Sequence, residues 1–332
     1  MELPELIAPS LGLNDGEKPS VDFICLTSNG VTNFRLKAAF YNAKYLYEVI
    51  KYDKVPVKVG KFEKELKIED QGEVYSLFIT VRKPGLRTTQ TLQLDQLFQV
   101  AEQLSSLHAF CLSTASAETK KVIDGNYSKI KQYRLQKTGR NIAKDVQVIV
   151  SNYSAYFKGA AHLAEKVQTI FKSEDDLLPP VSLGSSLTPS VMCHGELSSE
   201  KIVFSEGNIA EITGWDNLHY GSVAEDLSYL IITSAPPEIR RRRYMSVFRR
   251  YFYKLVDSVP LTFKLSDLKD AFKKMHKSIV LGSTSGLIRV LETNDEEEKL
   301  RQAERWETAL DDAIAIENDD YPSDNEDAFF AN

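Results

Sequence analysis

Three cysteines and five histidines in 332 residues are too few for a metal-rich protein, and Cys25, Cys111 and Cys193 form no CxxC pair. Reduced thiols follow, and with them the expectation of a cytoplasmic chain. No run approaches the roughly 20 apolar residues that a membrane helix requires, which predicts no membrane insertion. The opening MELPELIAPSLGLNDGEKPS has acids where a secretory signal needs a basic region. Basic excess is missing too: 41 Lys and Arg face 47 Asp and Glu, a net charge of −6. The closing ENDDYPSDNEDAFFAN holds Glu317, Asp319, Asp320, Asp324, Glu326 and Asp327 with no Lys or Arg, so it carries that whole imbalance. The neutral remainder predicts no general affinity for nucleic acid.

A Gly-rich strand-to-helix turn that would seat a dinucleotide is also lacking; LGSTSG at 281–286 falls late in a helical region. Y-x-x-x-K spacings at Tyr47/Lys51, Tyr127/Lys131 and Tyr133/Lys137 match the proton-donating pair of short-chain dehydrogenases. With fifteen tyrosines and many lysines such matches arise by chance, so a dehydrogenase is the remotest reading.

What is present is an ordinary globular composition, 42% hydrophobic and 27% charged, in a chain long enough for two lobes of one fold. Residues 1–20 read as a loose lead-in. VDFICLT and VTNFRL, joined by Ser28-Asn29-Gly30, predict a hairpin. KAAFYNAKYLYEVIK has helical spacing, and VPVKVG and EVYSLFITVRKPG read as strands, the latter ending at a hinge at Pro84-Gly85. This gives a β-rich lobe over 21–85. From Leu92 the pattern is helical, with Leu97, Ala101, Leu104, Leu107 and Phe110 on one face. A further helical region runs from about Ala143 to Phe171. Short strands at Val191–Cys193, Ile202–Phe204 and Ile209–Ile212 interrupt this helical lobe, 86–316, before four more helical stretches. Residues 317–332 read as an acidic, disordered tail with the composition of a short acidic-aromatic docking peptide. The run Arg240–Arg243 reads as the solvated face of an amphipathic helix whose apolar positions are Val247, Phe248, Tyr251 and Leu255. An anion, RNA, a nuclear import receptor or the acidic tail are its other candidate contacts.

Between those strands stands CHGELSSEKIVF, followed by AEITGWDNLHYGSVAEDLSYLI. Phosphoryl transfer needs a base for the attacking hydroxyl and oxygen ligands for Mg²⁺ on the nucleotide phosphates. A loop of form H-G-D-x-x-x-x-N, then a hydrophobic strand ending in D-W, supplies them. From about Val55 to Ala315 the sequence resembles the CHK kinase-like proteins, relatives of choline kinases, ecdysteroid kinases and aminoglycoside phosphotransferases, and most of all their nematode set. The likeness rests on His194, Gly195 and Leu197, then Trp215, then Gly221, Glu225, Asp226 and Leu227. It implies an α+β, protein-kinase-like fold of two lobes, the front one reduced. It also implies that His194, Gly195, Trp215, Gly221 and Asp226 form the scaffold of the loop rather than its reagents.

The departures fall on the reacting positions. The family's catalytic Asp is Glu196, its metal-binding Asn is Lys201, and the Asp before Trp215 is Gly214. Its strand lysine falls near Cys25, and Ala43 or Lys44 stands where an ion-pairing Glu belongs. A misplacement of about 1 Å, such as Glu for Asp brings, costs roughly 100-fold in rate. Losing both metal ligands removes the neutralisation of the phosphoryl oxygens. The expectation is a catalytically silent protein, a pseudokinase, whose cleft binds a small molecule or a protein partner, with no metal or cofactor. A front lobe with an apolar face also implies a covering partner. The alternative is a rewired small-molecule phosphotransferase, using ATP and Mg²⁺, with Glu196 as base. Asp216, two residues along a strand from Gly214, would then hold the metal.

Overall fold

The structure, a computed structural model, describes residues 18–27, 43–46, 57–59, 62–70, 73–82, 86–113, 120–121, 123–124, 141–177 and 189–321. In the front lobe, β1 (Lys18–Thr27), β2 (Phe62–Asp70) and β3 (Glu73–Arg82) form an antiparallel sheet in the order β1-β3-β2. Cys25 lies in β1, its Cα opposite Ser76 of β3. Strand β2 is not among the elements expected from the sequence. The hairpin partner of VDFICLT, the Pro84-Gly85 hinge and the three Tyr/Lys pairs lie outside the described residues. Of VPVKVG, Val59 makes a single bridge to Ile212 instead of a strand.

The helical lobe holds the described core. Helix α1 (Leu94–Ser113) buries Leu97, Val100, Ala101, Leu104 and Leu107 at three- and four-residue spacing, the stripe an amphipathic helix needs. Next come α2 over 141–153 and α3 (Leu163–Ile170). The single helical region expected from Ala143 to Phe171 is therefore two helices. They are separated by 3₁₀ turns at Ser154–Tyr156 and Ala160–His162. Glu307 explains the break, because its carboxylate takes the backbone N–H of Lys158 at 2.9 Å and of Gly159 at 2.6 Å. A partner about 150 residues away leaves no local signal.

Helices α4 (Glu225–Ser234), α5 (Pro237–Val256), α6 (Leu265–Gly282), α7 (Thr284–Leu291) and α8 (Glu296–Glu317) complete the lobe. Pro237 opens α5, where a missing N–H costs nothing. The Asp295 carboxylate caps α8 by accepting from Glu298 N at 3.0 Å. At the centre the rings of Tyr244 and Phe272 stack at 4.5 Å beside Phe248, and Trp306 donates to Val280 O at 3.1 Å.

Two expectations need correction here. Arg240 is not on a solvated face: it is fully buried, and its Nε meets Asp312 of α8 at 2.9 Å. Arg241 reaches the same carboxylate at 2.7 Å, while Arg242 and Arg250 are exposed. Helical periodicity identified the apolar stripe but could not reveal that α8 supplies a carboxylate at its margin. The tail also begins later than Glu317. Lys277 pairs with Glu317 at 3.1 Å, and Tyr321 is buried with its ring 6.4 Å from that of Tyr244.

The sheets of the described residues pair antiparallel. A dehydrogenase would need a parallel, doubly wound sheet, so that reading is set aside. The catalytic-loop region is carried by two small sheets. One contains β4 (Arg87–Thr88), β6 (Ile202–Ser205) and β7 (Asn208–Ile212); the other pairs β5 (Ser190–Cys193) with β8 (His219–Ser222).

Candidate functional site

Strand β5 delivers the chain to His194 and Gly195, where it turns sharply. Gly195 has φ +89°, and a Cβ there would lie 2.7 Å from Asn217 O, so both conformation and space require glycine. Asp226, in the first turn of α4, accepts from His194 N at 2.7 Å and from Gly195 N at 3.0 Å. His194 Nε2 donates to Thr213 O at 2.7 Å, and its ring lies 4.8 Å from that of Trp215. Trp215 in turn donates from Nε1 to Ile212 O at 2.9 Å. These contacts tie the loop after β5 to the end of β7.

Beyond that frame, Glu196 Oε2 accepts from Asn217 Nδ2 at 2.9 Å. Asn217 O accepts from His219 Nδ1 at 2.8 Å, and His219 Nε2 pairs with Glu225 at 2.8 Å. Two acceptors on two ring nitrogens call for the imidazolium. Burial pulls the His219 pKa down, but the charge and hydrogen bond of Glu225 outweigh it and leave the pKa raised. Gly221 is packed closely enough that a Cβ would meet Cys193 Sγ at 3.1 Å.

Lys201 ends the 3₁₀ turn Ser199–Lys201, and its carbonyl accepts from Thr213 N at 2.9 Å. Gly214 follows with φ +77°, in the left-handed region. A Cβ at 214 would lie 2.9 Å from Lys201 Cδ and 3.2 Å from its Nζ. The lysine side chain thus runs across the face from which an aspartate at 214 would project. The residues at 201 and 214, an ammonium and no side chain, do not fit a magnesium ion. Asp216 does not lie two steps along a strand, as the rewired reading required. It sits within the 3₁₀ turn Trp215–Asn217, entered from the left-handed Gly214.

Glu196, Lys201, Gly214, Asp216 and Asn217 nevertheless line one cleft of about 1000 Å³. Its walls include Asn141 and Asp145 of α2, Gln90, and Arg305 of α8. None of these four was singled out from the sequence. Arg305 and Gln90 meet only through the fold, Nη1 donating to Gln90 O at 3.2 Å. Asn217 also lines the cleft and adjoins Trp215 and Asp216, so the motif's own spacing places it near the site. A separate buried group, His108, Cys193 and Asp226, brings possible ligand atoms within 4.8 Å of one another. Both Asp226 oxygens are already taken by backbone N–H, and burial pushes the Cys193 thiol well above its usual range, so this cluster serves packing.

The ecdysteroid kinase-like family model matches residues 83–262, more than half of the chain. The chain belongs to that family. Its structure is the α+β, two-lobed, kinase-like fold, and the match spans the whole of the loop just described. A search of curated proteins finds no match to this ecdysteroid kinase-like chain. Among solved structures it is similar to the macrolide 2'-phosphotransferase MphH of Brachybacterium faecium. Identity there is 16%, over 92% of this chain and 97% of that one, with a TM-score of 0.41. It is similar to the choline kinase LicA of Streptococcus pneumoniae at 12% identity, over 93% and 97% of the two chains, with a TM-score of 0.41. For the spectinomycin phosphotransferase APH(9)-Ia the values are 12%, 92% and 88%, with a TM-score of 0.47. Among the described residues, no helix is long and apolar enough to cross a membrane.

The buried titratable groups make a pH dependence with opposing parts. Burial holds His194 at about 4 and His108 at about 3, against an ordinary 6.5, so both stay neutral in the fold. Their contribution is complete above about 6.5 and is lost as pH falls toward 4, because the unfolded chain takes up protons first. Asp226 runs the other way. Burial, then the charge of Glu225, push it up to about 7, against the two backbone N–H groups. Its native form takes a proton first, which offsets the histidines between pH 7 and its ordinary 3.8. Asp226→Asn removes that offset. Urea unfolding from pH 7 to 4 is expected to show a steeper loss in the variant than in the parent; equal slopes would contradict it.

Proposed function

We propose that this ecdysteroid kinase-like protein is catalytically silent and that its cleft binds a ligand or a partner's segment without transferring phosphate. One observation carries the reading: the Lys201 side chain lies against Gly214, 2.9–3.2 Å from the place of a Cβ there. A carboxylate needed for the metal is absent, and the cation at 201 opposes a metal in its neighbourhood. Glu196, one methylene longer than aspartate, is held by Asn217 rather than standing clear in the cleft.

Thermal unfolding and ADP release with ATP, each with and without Mg²⁺, test the proposal. The parent chain is expected to show no Mg²⁺-dependent stabilisation and no ADP release. The triple variant Glu196→Asp, Lys201→Asn, Gly214→Asp restores the ligands that the motif calls for. It is expected to gain Mg²⁺-dependent stabilisation of about 2.7 kcal/mol with ATP at 100 times its dissociation constant. The second reading, a rewired phosphotransferase, draws support from Glu196 and Asp216 lining the same cleft. Mg²⁺-dependent ADP release by the parent chain, lost in Asp216→Ala, would establish it in place of the first.

A further inference from the structure

The outer face of α5 is basic at one end and apolar at the other. Along that helix seven Lys or Arg accompany a single acid, Glu238. Asp312 takes Arg240 and Arg241, and Glu102 takes Arg250. The adjoining α6, packed on α5 through Phe272 and Phe248, adds Lys269, Lys273, Lys274 and Lys277 against Asp267 and Asp270. Arg242, Arg249, Tyr253 and Val256 follow one another at steps of seven, four and three residues, so they share one face of α5. Arg249 is half-exposed and the other three are exposed. Among the described residues three large hydrophobic side chains stand out in solvent, and Tyr253 and Val256, 58% and 46% exposed, are two of them.

The end of α8 brings the chain to α5. Asp319 stands at φ +60°, with its N–H on Ile316 O at 3.2 Å and that of Asp320 on Ala315 O at 2.8 Å, the pair of bonds that turns a chain back across a helix end. Tyr321 then enters the core, its ring 6.4 Å from that of Tyr244 in α5 and 6.2 Å from that of His276 in α6. After it, PSDNEDAFFAN holds Asp324, Glu326 and Asp327 with no Lys or Arg, then Phe329 and Phe330. Acid followed by aromatic complements, in the same order, the basic and then apolar face of α5. Tyr253 lies nine residues beyond Tyr244, about 14 Å along the helix axis. Eight extended residues from Tyr321 to Phe329 reach about 26 Å, which leaves length to pass round the helix.

We propose that residues 324–330 dock along the outer face of α5 of their own chain, the acids against Arg242 and Arg249 and the Phe pair over Tyr253 and Val256. A tether this short holds the segment at an effective concentration of about millimolar, so weak contacts suffice to occupy the face. The same acids would repel the phosphates of RNA from it.

Phe330→Trp in the full chain supplies the test. Trp215 and Trp306 are buried, so acrylamide quenching of fluorescence reports chiefly on the indole at 330. It is expected to be quenched several-fold less than in a free peptide of residues 322–332 carrying the same substitution. Asp324→Lys with Glu326→Lys and Asp327→Lys is expected to raise quenching to the level of the peptide, and adding Arg242→Glu with Arg249→Glu to restore the shielding. Tyr253→Ser with Val256→Ser, and added salt, are each expected to expose the indole. Should the α5 variants fail to fold, the charge-reversed tail alone still decides, because unchanged quenching in it would overturn the proposal. So would a starting level equal to that of the free peptide. Shielding that is lost on dilution would overturn it as well, by assigning the face to the tail of a second copy.

Discussion

Arg240→Ala is expected to cost about 3–5 kcal/mol of folding stability, the range for breaking a buried ion pair from one side. Arg240 is fully buried, and each of its three guanidinium nitrogens donates a hydrogen bond: Nε to Asp312 at 2.9 Å, Nη1 to Arg305 O at 3.3 Å and Nη2 to Thr308 Oγ1 at 2.9 Å. Removing it leaves the Asp312 carboxylate, itself only 3% exposed, with Arg241 as its remaining partner. Arg241 is 37% exposed at its side chain, so Arg241→Ala is expected to cost far less, about 1 kcal/mol or below. The paired replacement Arg240→Met with Asp312→Leu removes both charges and should recover most of the loss. Urea denaturation of these variants decides the matter. Equal, small losses for Arg240→Ala and Arg241→Ala would show that the α5–α8 contact does not depend on the buried charge.

Asp226→Ala is the second large effect, about 2–4 kcal/mol, since two backbone donors lose their acceptor together. The donors are the N–H groups of His194 and Gly195, at 2.7 and 3.0 Å. The consequence is local as well as global. With Asp226 gone, the turn after β5 is held chiefly by the His194 bond to Thr213 O and by the fit of Gly195 against Asn217. Amide exchange at His194 and Gly195 is therefore expected to accelerate more than exchange within α1 or α5. Uniform acceleration across the chain would mean that Asp226 acts through overall stability alone.

Much of the helical lobe was legible because its helices carry their own periodicity; Val247, Phe248, Tyr251 and Leu255 of α5 are buried as their spacing implies. Strand β2 was missed although Leu66 and Ile68 alternate with charge before Gln71-Gly72, a short signal set among many lysines and glutamates. Motif spacing located the loop from His194 to Asp226. It could not show that the Lys201 side chain lies over Gly214, because two departures thirteen residues apart read as independent losses until the β6–β7 hairpin brings them together. Arg305 was invisible for a similar reason: a cation is defined by its counter-charges, and these are properties of the fold. The break at Lys158-Gly159, made by Glu307, belongs to the same class.

The contact between Lys201 and Gly214 also bears on how such a site changes over generations. Gly214→Asp alone places a new side chain 2.9 Å from Lys201 Cδ, in a backbone conformation with φ +77°. Lys201→Asn alone surrenders the cation and still lacks a carboxylate at 214. Neither single step regains the ligand set, which needs both substitutions together. The two positions are thus expected to be coupled, a substitution at either one alone leaving the metal site unrestored. A lineage that entered this state would keep it, and would be free to refine whatever the cleft came to hold.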